Sequence, residues 1–276
     1  MARTSLFFLV LVISSIGKAA GALSSEYQGS ESGGNPYPSC GDCYCIPQDG
    51  DQSLCPAGIP QTVFPEREID DFKLPVPESI WTLSCNPYTD ASCKTTPKQT
   101  YLDTAEAVCA FKNYTCASYE MRTFANRAEA EQSGARITHA GSCGLCSTAQ
   151  DLAIYLKEDF TTAGKVCATK GLLNEQMGLE CYMDIGLTHA CATIWNYDGI
   201  FDGKACGKTC AGDITAPNNG PPPMCDLSAC LNCDEEKAGP NFSAFAGRTR
   251  RRSGLLSEII RSCDDIATGI VHDPSC

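Results

Sequence analysis

Apolar and polar positions are most clearly patterned between residues 119 and 156. Tyr119 to Phe124 reads as a strand. Asn126 to Ser133 is short and rich in Ala and Glu, so it reads as a helix capped by Asn126 and ended by Gly134. Arg136 to His139 reads as a second strand, and it runs into Gly141-Ser142-Cys143-Gly144. Ala149, Leu152, Ala153 and Leu156 then recur at helical spacing. Ser147 and Gln150 have the S-x-x-Q spacing of a capping box at the start of that helix. The order strand, helix, strand, cysteine loop, helix is a βαβα signature.

The pattern is weaker elsewhere. Residues 56–100 carry many prolines, with Ile80 to Ser84 the best strand candidate. Thr104 to Tyr114, with Ala107, Cys109 and Phe111 among its apolar members, is expected to be helical. Residues 161–200 look mainly helical and are interrupted at Gly171 and Gly186. Cys206 to Cys233 reads as a loop region containing Pro221-Pro222-Pro223. A last helix is expected over Gly254 to Cys263, with Leu255, Leu256, Ile259 and Ile260 on one face and Ser253 as N-cap. No internal repeat is visible. The expected fold class is α+β and disulfide-rich, mainly helical in its C-terminal two-thirds, with a small sheet.

Residues 1–22 read as a signal peptide: Arg3 supplies the charged end, Leu6 to Ile16 the apolar stretch, and Ala20-Gly21-Ala22 the small-residue cleavage site. That stretch is too short to span a bilayer, and no other is apolar enough, so no transmembrane segment is expected. Residues 23–39 form a flexible leader rich in Ser and Gly. Residues 40–100 form a cysteine- and proline-rich loop region, and residues 101–276 the main α+β domain. The formal charge is −12. Removing Arg3 and Lys18 with the signal peptide takes it to −14, which argues against nucleic acid and anionic membranes as partners. With 43% apolar residues the chain can build a core. All 20 cysteines follow the leader. At that density in a secreted chain they imply a disulfide framework. Asn113 and Asn241 begin N-glycosylation sequons, which fit surface positions in an extracellular or secretory-lumen protein.

Candidate chemistry concentrates in His139-Ala140-Gly141-Ser142-Cys143-Gly144-Leu145-Cys146-Ser147. Cys146 would sit just before a helix N-terminus, where the partial positive charge favours a thiolate. A cysteine nucleophile at Cys146 with His139 as base would make an acyl-transfer hydrolase, with backbone N–H groups at the helix start stabilising the oxyanion. Cys143-x-x-Cys146 between a strand and a helix also has the form of a thioredoxin-type dithiol. The third reading is that both are ordinary half-cystines. Residues 140–146 resemble the Gly-Ser-Cys-Gly-x-Cys active-site segment of papain-like cysteine proteases. That resemblance implies Cys146 as nucleophile and Cys143 as a structural half-cystine. Here Ala140 stands where that family has its oxyanion glutamine; Gln150, at the start of the helix after the loop, joins Cys146, His139 and Cys143 among the candidate catalytic residues. The segments Ile137–Ser147 and Gly247–Arg251 also resemble secreted cysteine-rich proteins of algae and other protists, a resemblance that implies no activity.

Arg248, Arg250, Arg251 and Arg252 stand out in an acidic chain. Three readings apply: an anion-binding site for a small anionic ligand, a convertase cleavage site at Arg248-Thr249-Arg250-Arg251, or pairing with the chain's own carboxylates. Cys40-x-x-Cys43-x-Cys45, Cys206-x3-Cys210 and Cys230-x-x-Cys233 have zinc-ligand spacing, but disulfides are expected in a secreted chain. No metal and no cofactor is expected. Three functions remain: an extracellular Cys/His hydrolase acting on an extracellular substrate, a non-catalytic structural or ligand-binding protein with every cysteine paired, and a thiol–disulfide oxidoreductase.

Overall fold

The computed structural model describes residues 74–96, 106–211, 218, 226–255, 259 and 265–272. All belong to one compact unit spanning Tyr37–Cys276. The expected signal peptide, the leader, the Cys40–Cys55 cluster and most of the helix expected over 254–263 lie outside the described residues. The fold is α+β and disulfide-rich, as the pattern implied.

Strands β1 (Val76–Pro77), β4 (Val108–Lys112), β5 (Ser118–Phe124) and β6 (Arg136–Ala140) form a sheet in the order β1-β5-β4-β6. β4 is antiparallel to both neighbours and β1 is parallel to β5. β5 and β6 thus flank β4, and helix α1 (Arg127–Gln132) connects them, giving a split βαβ unit. Its helix starts as the sequence implied, with the Asn126 side chain accepting from the Glu129 N–H. β2 (Thr82–Leu83) and β3 (Thr95–Thr96) form a separate hairpin that contains the Cys85–Cys93 disulfide.

Residues 108–112 are a strand, not the expected helix. Cys109 and Phe111 face the main core, while Val108 and Ala110 face a small cluster with Phe124 and Ala130. A strand buried on both faces shows a continuous apolar run, so the period of two is lost. On β6 the ladder to β4 skips Thr138, with Cys109 opposite His139 and Ala110 opposite Ile137. This bulge leaves the Thr138 carbonyl outside the ladder.

The helical layer comprises α2 (Ala149–Lys157), α3 (Phe160–Leu173), α4 (Glu175–Asp184), α5 (His189–Ala205), α6 (Gly207–Cys210), α7 (Ala229–Lys237) and α8 (Gly239–Ala246), followed by a 3-10 turn, Arg251–Ser253. Gly171 does not break α3. It lies within the helix, where a Cβ would strike Asn196 Oδ1 of α5, so its smallness permits a close helix crossing. The break comes at Asn174, which ends α3 and caps α4 by accepting from Gln176 and Met177. Gly186, at φ +112°, turns the chain from α4 into α5.

α2 begins one residue later than the S-x-x-Q pattern implied. Thr148 is the N-cap, accepting from Asp151 N–H. Ser147 and Gln150 are therefore not a capping box; Gln150 instead donates to the Gly186 carbonyl at 2.7 Å. The buried Asp151 joins two helix starts. It accepts from the hydroxyl of Thr148 and from both N–H and hydroxyl of Thr188, the N-cap of α5. Burial pushes its carboxyl up to about 6.

The region expected to be loop over 206–233 contains α6 and the start of α7. Their cysteines, four and three residues apart, lie on facing helical sides and pair as Cys206–Cys233 and Cys210–Cys230. Cys167–Cys181 ties α3 to α4.

Candidate functional site

Cys143 and Cys146 are both half-cystines, bonded respectively to Cys109 of β4 and Cys191 in the first turn of α5. Both are fully buried. Neither the nucleophile nor the Cys143–Cys146 dithiol survives this pairing: one needs a free thiolate and the other needs the two sulfurs to pair with each other. The loop between them links the sheet on one side to the helical layer on the other.

His139 faces this loop without acting on a thiol. Its Nε2 accepts from the Ser147 hydroxyl at 2.7 Å and its Nδ1–H donates to the Ala140 carbonyl at 2.8 Å. Ser147 Oγ also accepts from the Gly144 N–H. This has the geometry of a serine–base pair, yet both side chains are 0% exposed, so no substrate reaches them. Burial and the Arg248 charge hold the imidazole well below its usual range, hence neutral.

Arg248 is fully buried as well. Its Nε donates to the Cys146 carbonyl, Nη1 to the bulged Thr138 carbonyl and to Ser253 Oγ, and Nη2 to the Ser147 carbonyl. Four uncharged oxygens thus take its donors, and an external anion has no access to it. Arg250 donates to the carbonyls of Tyr155 and Glu158, Arg252 to those of Ser243 and Gly247. Arg251 pairs with Glu235 at 3.4 Å. The run mostly caps backbone carbonyls rather than carboxylates. Arg248 is buried and Arg251–Ser253 form a 3-10 turn, while Arg250, Arg251 and Arg252 are half-buried.

Gly144 and Gly247 seal the same region. A Cβ on Gly144 would lie 2.5 Å from the Ala246 carbonyl, and Gly247 sits at φ +73° against Gly144. The backbones touch directly, with Leu145 and Cys146 N–H groups donating to the Phe245 and Ala246 carbonyls.

The two sequons differ. Asn113 is exposed, at φ 53° in the turn from β4 to β5. Asn241 does not sit on the open surface: it lies within α8, half-buried, its amide donating to the Pro87 carbonyl at 2.8 Å.

A cavity among α3, α5, α7 and α8 could receive a molecule and has a volume of about 230 Å³. One wall is aromatic. Trp195 stacks on Phe160 with centroids 5.1 Å apart, meets Phe242 edge-on at 4.7 Å, and donates Nε1–H to Tyr155 Oη at 3.0 Å. The other wall is acidic, with Asp198 and Asp202 from α5 and Asp234 and Glu235 from α7. Trp195, Asp198 and Asp202 are spaced i, i+3, i+7 and so share a face of α5. Tyr88, from the β2–β3 hairpin, donates to Asp198 Oδ1 at 2.6 Å. Burial and the neighbouring Asp202 and Glu235 push the Asp198 carboxyl well above the usual carboxylate range. Asp202 Oδ1 is buried with no hydrogen-bond donor. Arg250, Arg251 and Lys165 also line the cavity.

The model of a family of unknown function (DUF8771) matches residues 175–269. That stretch supplies α4 to α8 and the arginine turn, and with them both the acidic wall and Trp195. The cysteine loop of residues 141–147 lies outside it. No curated protein and no solved structure matches the chain, so neither the papain-like nor the algal and protist resemblance has a counterpart there.

Trp195, Asp198 and Asp202 were not singled out from the sequence. Their signal was present as an acidic stripe at i, i+4 beside a tryptophan on a helix whose other face is apolar. It is a weak signal, because an acidic stripe is usually a solvated face.

Proposed function

We propose that this is a non-catalytic secreted protein that holds a small molecule in the cavity among α3, α5, α7 and α8. The observation that carries the reading is the cavity itself: concave, half aromatic, with a few convergent polar groups, which is the form of small-molecule sites. The pairing of Cys143 and Cys146 with separate distant cysteines supports a non-catalytic role. The six disulfides among the described residues support an oxidising compartment. The signal-peptide pattern of residues 1–22 supports secretion. Among the described residues no helix is long and apolar enough to cross a membrane.

In this reading the disulfides and the buried arginine hold the cavity walls in place without a ligand. A preformed site loses less ordering entropy on binding. The test is to recover the protein from its medium, denature it, and search the released fraction for a small molecule by mass spectrometry. Leu231→Trp, whose indole would fill the cavity from α7, is the control. A stoichiometric molecule released by the wild type and absent from the folded variant supports the reading. Equal recovery from both contradicts it, as does turnover of ester or amide substrates above that of Cys146→Ser.

A further inference from the structure

We propose that the cavity takes a flat, uncharged aromatic molecule, seated against Trp195 in the space that Gly164 leaves open. The inference rests on the ligand-binding reading of the same cavity and adds the chemical class and the position of the occupant.

The first observation is a glycine that packing does not require. Gly164 is buried inside α3, where glycine is less favourable than alanine because it loses more chain entropy on folding. Elsewhere in the helical layer such a residue answers to a close crossing. A Cβ on Gly171, Gly178, Gly199 or Gly203 would lie 2.1–2.6 Å from a neighbouring atom. A Cβ on Gly164 would meet only Trp195 Cζ3, at 3.8 Å, which is ordinary van der Waals contact. Gly164 lines the cavity, so a side chain here would occupy cavity space over the edge of the indole.

The second observation is the indole itself. Trp195 meets Tyr155, Phe160, Tyr182 and Phe242 with ring centroids 4.7–6.5 Å apart, yet it is only half-buried. The polar atoms of this wall are satisfied. Trp195 Nε1–H donates to Tyr155 Oη, and Tyr182 Oη donates to the Gly164 carbonyl at 3.1 Å. What the wall offers an occupant is ring faces and edges, which pair with another aromatic ring by offset stacking or edge-on contact.

The third observation is that charges around the cavity are engaged within the protein. Asp198 accepts from Tyr88, Asp159 from the N–H and hydroxyl of Thr161, and Glu235 from Arg251. Lys165 donates to Asn218, and Arg250 to two backbone carbonyls. A charged occupant would be desolvated against groups that already have partners, which is costly. A neutral aromatic one needs none of them. An apolar cavity of about 150 Å³ holds benzene. At about 230 Å³ this one has room for a bicyclic ring.

The experiment is calorimetry on the full oxidised protein at pH 7 with probes of one skeleton: 2-naphthol, decahydro-2-naphthol, 2-naphthoate and 2-naphthylmethylammonium. The expected result is that 2-naphthol binds and its saturated counterpart binds at least about threefold more weakly, having lost the ring pairing. Both ions should bind at least about tenfold more weakly than 2-naphthol. Gly164→Leu should abolish 2-naphthol binding. Gly164→Ala, which suits a helix better, serves if the leucine variant fails to fold, and should weaken binding about fivefold by crowding the seat. Equal or tighter binding of the saturated alcohol or of either ion would overturn the uncharged aromatic class and leave the cavity reading standing. Unchanged 2-naphthol binding in the folded Gly164 variants would overturn the seat against Trp195. No binding of any probe would overturn the inference, and the cavity reading falls with it only if the wild type also releases no molecule on denaturation.

Discussion

The Arg248 guanidinium donates through Nε to the carbonyl oxygen of Cys146 at 3.0 Å, deep in the core. The two motifs that stand out in the sequence are therefore halves of one knot. The cysteine loop is tied to β4 by Cys109–Cys143 and to α5 by Cys146–Cys191. The arginine supplies donors to the loop carbonyls that no secondary structure satisfies. Glu235, whose carboxylate meets Arg251, carries this region on to the wall of the cavity.

Removing the guanidinium should be severe. Arg248→Ala leaves the carbonyls of Cys146, Thr138 and Ser147 buried without this donor. Each orphaned buried acceptor costs about 1–3 kcal/mol, so a total loss of about 4 kcal/mol is expected. Arg248→Lys keeps the charge but cannot fan its donors over the same acceptors, and should lose about 2 kcal/mol. Denaturant midpoints of the oxidised proteins measure both. A loss below about 1 kcal/mol for Arg248→Ala would show that the knot does not depend on this side chain.

The parts of the fold legible in the sequence were those set by short-range contacts. Asn126 caps α1 through a bond three residues on, and Gly186 turns the chain by its own φ. Residues 108–112 were not legible as a strand because both faces are covered. Ser147 and Gln150 had the right spacing for a cap, but Thr148 and Asp151 offer the same spacing one residue on and also reach Thr188. The arginine run shows its charge in the sequence, whereas its burial depends on contacts with residues about a hundred positions away. Cysteine pairing is likewise a matter of distances in space. The cavity draws its walls from helices spread over 160–246, so only the α5 stripe leaves a local trace.

Two of the buried titratable groups contribute to the pH dependence of stability with opposite sign. Burial lowers His272 from 6.5 to about 4. Between those values the unfolded chain binds a proton that the folded chain does not, so this group destabilises the fold as pH falls. Burial raises Asp151 from 3.8 to about 6, where the folded chain holds a proton that the unfolded chain has lost, so this group destabilises as pH rises. The two slopes oppose each other between about pH 4 and 6. The destabilisation caused by His272→Gln should therefore be largest near pH 7 and shrink toward pH 4. That of Asp151→Asn should be smaller at pH 7 than at pH 4. Melts at the two pH values check both, and variants whose losses do not change with pH would contradict the assignment.

The sequons should differ in occupancy. Asn113 is exposed on a turn, while the Asn241 amide is bonded to Pro87 within α8. Glycopeptide mapping of secreted material should find a glycan on Asn113 and an unmodified Asn241. Full occupancy at Asn241 would mean that α8 does not sit against the hairpin as described.

The central claim is that the cysteine loop is a structural tie and not a reactive site. Proteolysis of the unreduced, alkylated protein, followed by mass spectrometry, tests it most directly. The account predicts linked peptides joining Cys109 to Cys143 and Cys146 to Cys191, with no iodoacetamide label on Cys146 before reduction. A labelled Cys146 in the folded, unreduced protein, or a Cys143–Cys146 linkage, would contradict it.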